Sequence, residues 1–117
     1  MHRFKELDIW KRSRVFCKDI YEITNAFTND EKYGLVNQLR RASVSIPSNI
    51  AEGASRKSNK DFARFLEITI GSCYELETQL LIANDLKYIG KDKLDVILND
   101  LEIIIKMTSK FKSTLKY

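Results

Sequence analysis

The feature that most constrains this chain is a proline within a segment that otherwise keeps the spacing of a helix. Small or apolar residues that would share one helix face recur on both sides of Pro47: Leu35, Leu39, Ala42, Ile46, Ile50 and Gly53. Pro47 has no N–H for the carbonyl of Ser43, and its ring presses against that carbonyl, at a cost of roughly 3 kcal/mol in a helix interior. We therefore predict a helix that kinks or restarts at Pro47. The side chains placed to satisfy the freed backbone groups are Ser43, Ser45, Ser48 and Asn49.

The spacing of apolar residues predicts four helices, at about residues 8–27, about 28–56, about 59–87 and about 92–115. Thr28 and Glu31 have the spacing of a capping box that would start the second helix. Ser58 is expected to cap the third, and Gly90 is expected to end it as a left-handed residue. Connections of a few residues require neighbouring helices to be antiparallel, so the sequence predicts an all-α, up-down-up-down four-helix bundle.

Composition supports one helical domain that spans residues 1–117. A chain of 117 residues with 44% hydrophobic content can bury a core of its own, and one proline and four glycines favour long helices over a turn-rich β fold. Because no apolar run approaches the ~18 residues of a membrane span, we expect a cytoplasmic protein with no membrane contact. Cys17 and Cys73 are expected to be buried free thiols, since a functional pair is the less common arrangement.

The residues of known catalytic and metal sites are largely missing. A di-iron bundle needs Glu-x-x-His pairs, and the one histidine is His2. The same shortage excludes a Ser-His-Asp or Cys-His nucleophile. The glycines are not clustered as in a phosphate-binding loop, and Glu67, Glu75 and Glu77 are interpreted as solvated helix charges. We predict no enzymatic activity, no cofactor, no metal and no small-molecule substrate.

Positive charge is concentrated in the first half of the chain. Residues 1–64 hold 13 Lys and Arg against 8 Asp and Glu, a net +5, whereas residues 65–117 hold 7 against 8, a net −1. Basic side chains bind phosphate backbones by neutralising charge, although a solvated helix face is the commoner explanation of such runs. The candidate nucleic-acid-binding residues are Lys11, Arg12, Arg14, Lys18, Arg40, Arg41, Arg56, Lys57, Lys60 and Arg64.

A second polar set consists of Asn49, Glu52 and Arg56. Asn49 falls on or beside the apolar face of the second helix, and Glu52 and Arg56 have the spacing of a favourable helical ion pair. We interpret the three residues as a structural network near Pro47 that fixes helix register, in preference to a ligand site.

Several motifs together resemble one protein family over nearly the whole chain. They are Phe4-Lys5-Glu6-Leu7, Trp10-Lys11, Tyr33-Gly34-Leu35, Gln38-Leu39-Arg40-Arg41-Ala42, Ser45-Ile46-Pro47-Ser48-Asn49-Ile50-Ala51-Glu52-Gly53, Phe65-Leu66, Gly71-Ser72 and Glu75-Leu76-Glu77-Thr78-Gln79-Leu80. The chain resembles the bacterial four-helix-bundle proteins named for intervening sequences of 23S ribosomal RNA genes. The resemblance implies a left-handed bundle that assembles into a homopentameric ring and has no established enzymatic activity. A similar bundle serves retroelement reverse transcriptases as an accessory that binds protein and RNA, which is an analogy of fold only.

The sequence also bears on assembly. The first helix carries two adjacent apolar stripes that include Trp10 and Tyr21, more than a monomeric bundle needs. Either a partner or the kinked second helix would cover this surface. The resulting hypothesis is a non-enzymatic oligomeric scaffold that binds RNA or a ribonucleoprotein through basic side chains. The alternative is a protein-protein adaptor with no nucleic-acid role.

Overall fold

A computed structural model describes residues 2–31 and 34–117, and within them every regular element is helical. A single 3₁₀ turn at Phe4–Glu6 precedes helix α1, Asp8–Thr24, and a second turn at Asn29–Glu31 precedes helix α2, Leu35–Ala54. Helix α3 is Asn59–Asp85 and helix α4 is Lys91–Thr114. The all-α prediction is confirmed, and three of the four helices begin within one residue of the expected position.

The four helices pack in a cycle. Helix α1 contacts α2 and α4, and α3 contacts α2 and α4, whereas the diagonal pairs do not approach each other within the described residues. The α2/α3 contact is the most extensive and the α1/α4 contact the least. Individual contacts join Cys17 to Ser43, Thr24 to Arg40, and Glu67 to Lys112. The result is an elongated body of 45 × 24 × 20 Å.

One hydrophobic core draws on all four helices, and the apolar face predicted for the second helix lies within it. Its fully or almost fully buried members include Ile20, Leu39, Ile46, Ile50, Phe62, Leu66, Leu76, Leu80, Leu101 and Ile104. Ile68 in α3 lies outside this core and is 43% exposed. Cys73 is buried as predicted, while Cys17 is half-buried with its Sγ 3.5 Å from the Ser43 hydroxyl. Burial raises the pKa of the Cys73 thiol to about 12.

Helix α2 continues through Pro47 without a second start, so of the two predicted alternatives, a kink or a restart, the restart is excluded. Three side chains donate to backbone carbonyls around this point: Ser43 Oγ to Arg40 at 2.8 Å, Ser45 Oγ to Ala42 at 2.7 Å, and Asn49 Nδ2 to Ser45 at 2.8 Å. The helix begins at Leu35, and not after Thr28. The Glu31 side chain of the predicted capping box lies outside the described residues.

The end of α3 differs from the prediction for Gly90. Gly90 is the N-cap of α4 with φ −78°, whereas Lys87 has φ 68° and is the left-handed residue. The N–H of Lys87 donates to Asn84 and the N–H of Tyr88 donates to Ala83, both at 2.9 Å. These two bonds form a Schellman motif, so the last carbonyls of α3 are satisfied even though no glycine occupies the left-handed position.

Among residues 2–31 and 34–117, no helix combines the length and the apolar character needed to cross a bilayer.

Candidate nucleic-acid interface

The ten predicted basic residues lie in three groups. Four are exposed on α1: Lys11, Arg12, Arg14 and Lys18. Arg14 lies over the ring of Trp10, with its Cζ 5.3 Å from the ring centroid, and Lys18 Nζ is 3.8 Å from a Glu22 carboxylate oxygen. Arg12 lines the groove between α1 and α4. This group is therefore spread around the helix, and part of its charge is already paired.

Arg40 in α2 is held by α1. Its Nε donates to Thr24 Oγ1 at 2.9 Å, its Nη2 donates to Asn25 Oδ1 at 2.9 Å and to the Tyr21 carbonyl at 3.4 Å, and its Cζ lies 4.6 Å from the Tyr21 ring centroid. A cation placed at the carboxyl end of α1 is favourable for the helix dipole. Arg40 therefore fastens α1 to α2, while its neighbour Arg41 is exposed.

The third group surrounds the connection from α2 to α3. Arg56 and Arg64 both contact the ring of Phe65, at 4.9 Å and 5.1 Å from its centroid, and Arg56 is also 3.1 Å from a Glu52 oxygen. Lys57 and Lys60 are exposed and form no ion pair with any described residue. The Ser58 hydroxyl accepts the N–H of Asp61 at 3.1 Å, so the predicted cap of α3 is present between them.

This turn lies beside both ends of the chain. The N–H of His2 donates to the Ala54 carbonyl at 3.0 Å, and Asn59 Nδ2 donates to the Lys116 carbonyl at 3.1 Å. The rings of Phe62 and Phe111 are 5.5 Å apart between centroids. The contacts therefore place the last turn of α4 and the first residues of the chain next to the third basic group.

We name residues 2–6, 52–67 and 110–117 the basic end. They carry nine Lys and Arg against four Asp and Glu, a net +5. Residues 21–30, 34–38 and 84–95, at the other end of the helices, carry three against five, a net −2. The sequence prediction missed the basic residues of the first and last segments, although antiparallel helices would have placed them here: Arg3, Lys5, Lys110, Lys112 and Lys116.

Lys112 is the most engaged of these added cations. Its Nζ is 2.8 Å from a Glu67 oxygen, and its side chain is 30% exposed. The hydrogen bond to Glu67 raises the pKa of the Lys112 ammonium. The ion pair links α4 to α3. By contrast, no ion pair with a described residue restrains Lys57, Lys60 or Lys116 at the basic end.

The predicted polar set divides into two local contacts. Glu52 and Arg56 form the expected ion pair one helical turn apart, with both side chains partly exposed. Asn49 is half-buried and donates to the Ser45 carbonyl of its own helix. In the described residues no hydrogen bond joins Asn49 to Glu52 or Arg56.

An open groove lies between α1 and α4. Val15, Phe16, Ile104 and Met107 line its apolar part, and Asp19 and Asp100 lie opposite each other across it. Burial, and then repulsion from Glu22 and Asp100, raise the pKa of the Asp19 carboxyl. Within residues 2–31 and 34–117, no three His, Cys, Asp or Glu side chains form a group that could hold a metal ion.

Comparisons with known proteins identify related sequences and structures. A family model described as "23S rRNA-intervening sequence protein" matches residues 5–110. A crystal structure of a protein of unknown function from the S23 ribosomal protein family of Bacteroides thetaiotaomicron superposes with a TM-score of 0.84. The two chains are 26% identical, and the match covers 91% of this chain and 96% of that chain. None of the curated proteins matches the sequence.

Proposed function

Because this chain belongs to the 23S rRNA-intervening sequence protein family, we propose that it is a non-enzymatic scaffold that binds RNA, free or within a ribonucleoprotein, through its basic end. The observation that carries this proposal is the convergence of three basic segments, distant in sequence, on one end of the bundle. Their net charge of +5 contrasts with −2 at the opposite end.

The chemistry of this surface fits the phosphate backbone. Lys57 and Lys60 project from the turn and the first residues of α3, where the positive end of the helix dipole adds to their charge. Arg56 and Arg64 are steadied by the Phe65 ring, which reduces the conformational freedom that binding would remove. Phe65 itself is only 7% exposed, so it is not available for stacking on a base. The surface therefore favours binding to RNA without sequence readout.

The proposed scaffold is one up-down-up-down, left-handed domain, kinked at Pro47, in the cytoplasm. Thr24, at the end of α1, accepts a bond from Arg40 near the start of α2, and Lys112 near the end of α4 pairs with Glu67 near the start of α3. These contacts support the antiparallel order. A homopentameric ring, as the family resemblance implies, would repeat the basic end around one axis. Each added copy would raise avidity for an RNA that reaches several basic ends together.

Titration of a structured RNA at two salt concentrations tests the proposal. If the basic end neutralises about four phosphates, affinity is expected to fall by roughly 10²-fold between ~50 and ~200 mM salt. The variant Lys57→Gln/Lys60→Gln should weaken binding and lower the slope of log affinity against log salt by about 2. Both side chains are exposed and unpaired, so the fold should be unaffected.

A matched control removes two lysines from the opposite end. Lys91 and Lys93 are exposed at the start of α4, and Lys91 Nζ is 2.8 Å from an Asp95 oxygen in the same helix. Lys91→Gln/Lys93→Gln should leave affinity and slope close to those of the wild type. Equal losses from both variants, or no binding at low salt, would contradict the proposal.

The adaptor alternative has one specific observation in its favour. Helix α3 exposes several large apolar side chains, which are typical of a protein contact. If RNA does not bind at low salt while the protein still associates through α3, the adaptor function replaces the RNA function.

A further inference from the structure

Helices α2 and α3 each expose a row of residues with the same spacing along the helix. The row on α2, named here the α2 face, consists of Asn37, Arg41, Val44 and Ser48. The row on α3, named the α3 face, consists of Glu67, Gly71, Tyr74 and Thr78. Steps of three and four residues are the spacing at which the side chains of two helices interlock along one seam. Because α2 and α3 are neighbouring corners of the helix cycle, their solvent sides point in different directions.

The contact between α2 and α3 within one chain sets the height of every residue in the two rows. Gly53 of α2 lies against Phe62 of α3, and residues counted outward from this point along the two antiparallel helices are level with each other. The level pairs are Ser48 and Glu67, Val44 and Gly71, Arg41 and Tyr74, and Asn37 and Thr78. In a ring whose axis runs along the bundle, all copies lie at one height, so the same pairs are level between neighbouring copies.

These level pairs are complementary in shape and hydrogen bonding. Val44 is 40% exposed, whereas a Cβ added at Gly71 would meet no atom within 4 Å, so the surface of α3 is open to a side chain from outside. The Thr78 hydroxyl donates to the Tyr74 carbonyl at 3.0 Å, which leaves its oxygen to accept from the amide of Asn37. Large exposed apolar side chains form a stripe beside the α3 face: Ile68, Leu81, Ile82 and Leu86.

The two faces lie on surfaces of opposite charge. From residue 64 to residue 86, α3 carries one Arg against four Asp and Glu, a net −3, whereas α1 and α2 together carry six Lys and Arg against four, a net +2. Arg41 is exposed and forms no ion pair with a described residue. Glu75, next to Tyr74, only accepts a bond from Gln79 Nε2 at 3.4 Å. A second copy of the chain therefore supplies the charge that each face lacks.

We propose that the α2 face of one copy binds the α3 face of the next copy, with α2 and α3 antiparallel and all copies in the same orientation. Val44 then lies over Gly71 of the partner subunit. Arg41 lies over the ring of Tyr74 of the partner subunit and reaches its neighbour Glu75, so the contact combines a cation–π interaction with an ion pair.

This inference rests on the ring in the proposed function and names the two surfaces that form it. Contacts between two different faces of each copy build rings of any number, whereas a face that binds itself builds pairs. The contact also gives a role to Arg41, a candidate for RNA binding that lies away from the basic end. The α2 and α3 faces leave Lys57 and Lys60 free for RNA.

Sedimentation equilibrium without RNA, over a range of protein concentrations, tests the contact by blocking each face separately. Wild-type protein should form an assembly larger than a dimer. Val44→Arg blocks the α2 face, Gly71→Arg blocks the α3 face, and each should weaken association at least about tenfold. The matched control Val96→Arg, at a position 64% exposed on the α1/α4 side, should change association less than about twofold.

Charge reversal tests the register. Arg41→Glu and Glu75→Arg should each weaken association about threefold or more, and both changes in one chain should restore it, because the ion pair is recreated with opposite polarity. Far-ultraviolet circular dichroism of each variant verifies that the helices remain folded. Lys57→Gln/Lys60→Gln should leave the mass of the assembly unchanged, which separates this contact from RNA binding.

The possible failures are distinguishable. A wild type that stays monomeric would overturn this contact together with the ring, whatever its affinity for RNA. Assembly that survives Val44→Arg or Gly71→Arg would overturn the contact and leave the ring to other surfaces. Survival of Val44→Arg alone is the result expected if α3 binds α3 of a second copy. A double charge reversal that fails to restore association would also overturn the proposal.

Discussion

The α2/α3 and α1/α4 contacts differ in how closely the two helices approach each other. Between α2 and α3 the backbones approach so closely that a Cβ at Gly53 would lie 2.6 Å from Phe65 Cβ. Between α1 and α4 a groove remains, with Val15 and Val96 more than 60% exposed and Asp19 opposite Asp100. The first contact is rigid and depends on shape, whereas the second tolerates change in both shape and charge.

The difference follows from what each contact buries. The α2/α3 side brings Ile50, Phe62 and Leu66 into full burial, so atoms removed there leave a cavity. The α1/α4 side also buries Phe16 and Ile104, but around them it places partly exposed side chains beside carboxylates that water must solvate. The bundle therefore has a tightly packed α2/α3 side and a more open α1/α4 side.

Truncation of one apolar residue on each side should show the largest difference. Ile50→Ala, at a fully buried position, is expected to lower the free energy of unfolding by about 2–5 kcal/mol. Met107→Ala, at a half-buried position that lines the groove, should cost only about 1 kcal/mol. Urea unfolding measures both values, and similar losses would show that the two sides are equally tight.

Filling the close approach at Gly53 should have the next largest effect. Gly53→Ala places a methyl group 2.6 Å from Phe65 Cβ and 2.8 Å from Phe62 Cδ1. Because Phe65 Cβ is fixed to its backbone, α2 and α3 must move apart, and we expect a loss of about 1–3 kcal/mol in the free energy of unfolding. A gain in stability would mean that this contact is not tight.

The same substitution at Gly71 should have the opposite sign. Gly71→Ala adds a methyl group where no atom lies within 4 Å, so the helix should gain roughly 0.5–1 kcal/mol of stability. Thermal unfolding measures this gain. A loss would indicate that the α3 surface is already covered within the chain.

The smallest expected change concerns Asp19 in the groove. Its folded-state pKa is raised, so the stability it contributes when protonated is present below its unfolded value near 3.8 and is lost as pH rises through the folded value. Asp19→Asn should therefore stabilise the protein at pH 7 by less than about 1 kcal/mol, and the gain should vanish in acid. Unfolding across pH, with exposed Asp85→Asn as the control, measures the difference.

The helices were predictable because their apolar spacing is strong, whereas the ends of helices depend on contacts that one segment does not contain. Helix α3 ends at Asp85, and Lys87 adopts the left-handed conformation beyond it because two Schellman bonds compensate the strain. Gly90 was the natural choice from sequence, since glycine meets no such strain. The α2 start at Leu35 was missed because the residues after Thr28 form a separate 3₁₀ turn.

The candidate surface was only partly predictable for a related reason. The run from Arg56 to Arg64 is local in sequence and could be recognised directly. Lys116 joins it only through the bond from Asn59, and Arg40 is turned from solvent toward the end of α1 by Thr24 and Asn25. The exposed apolar stripe of α3 was missed because periodicity shows that a helix has apolar residues, but not which of two apolar faces the other helices cover.

The hydrogen bonds of the Asn59 side chain have a consequence for local unfolding at the two termini. Its Nδ2 holds the Lys116 carbonyl, and its Oδ1 is 3.3 Å from His2 Nε2. One amide thus spans the first and last turns of the polypeptide, which should detach as a single cooperative unit and not fray separately. Amide hydrogen exchange measured near either terminus would then report the same opening event.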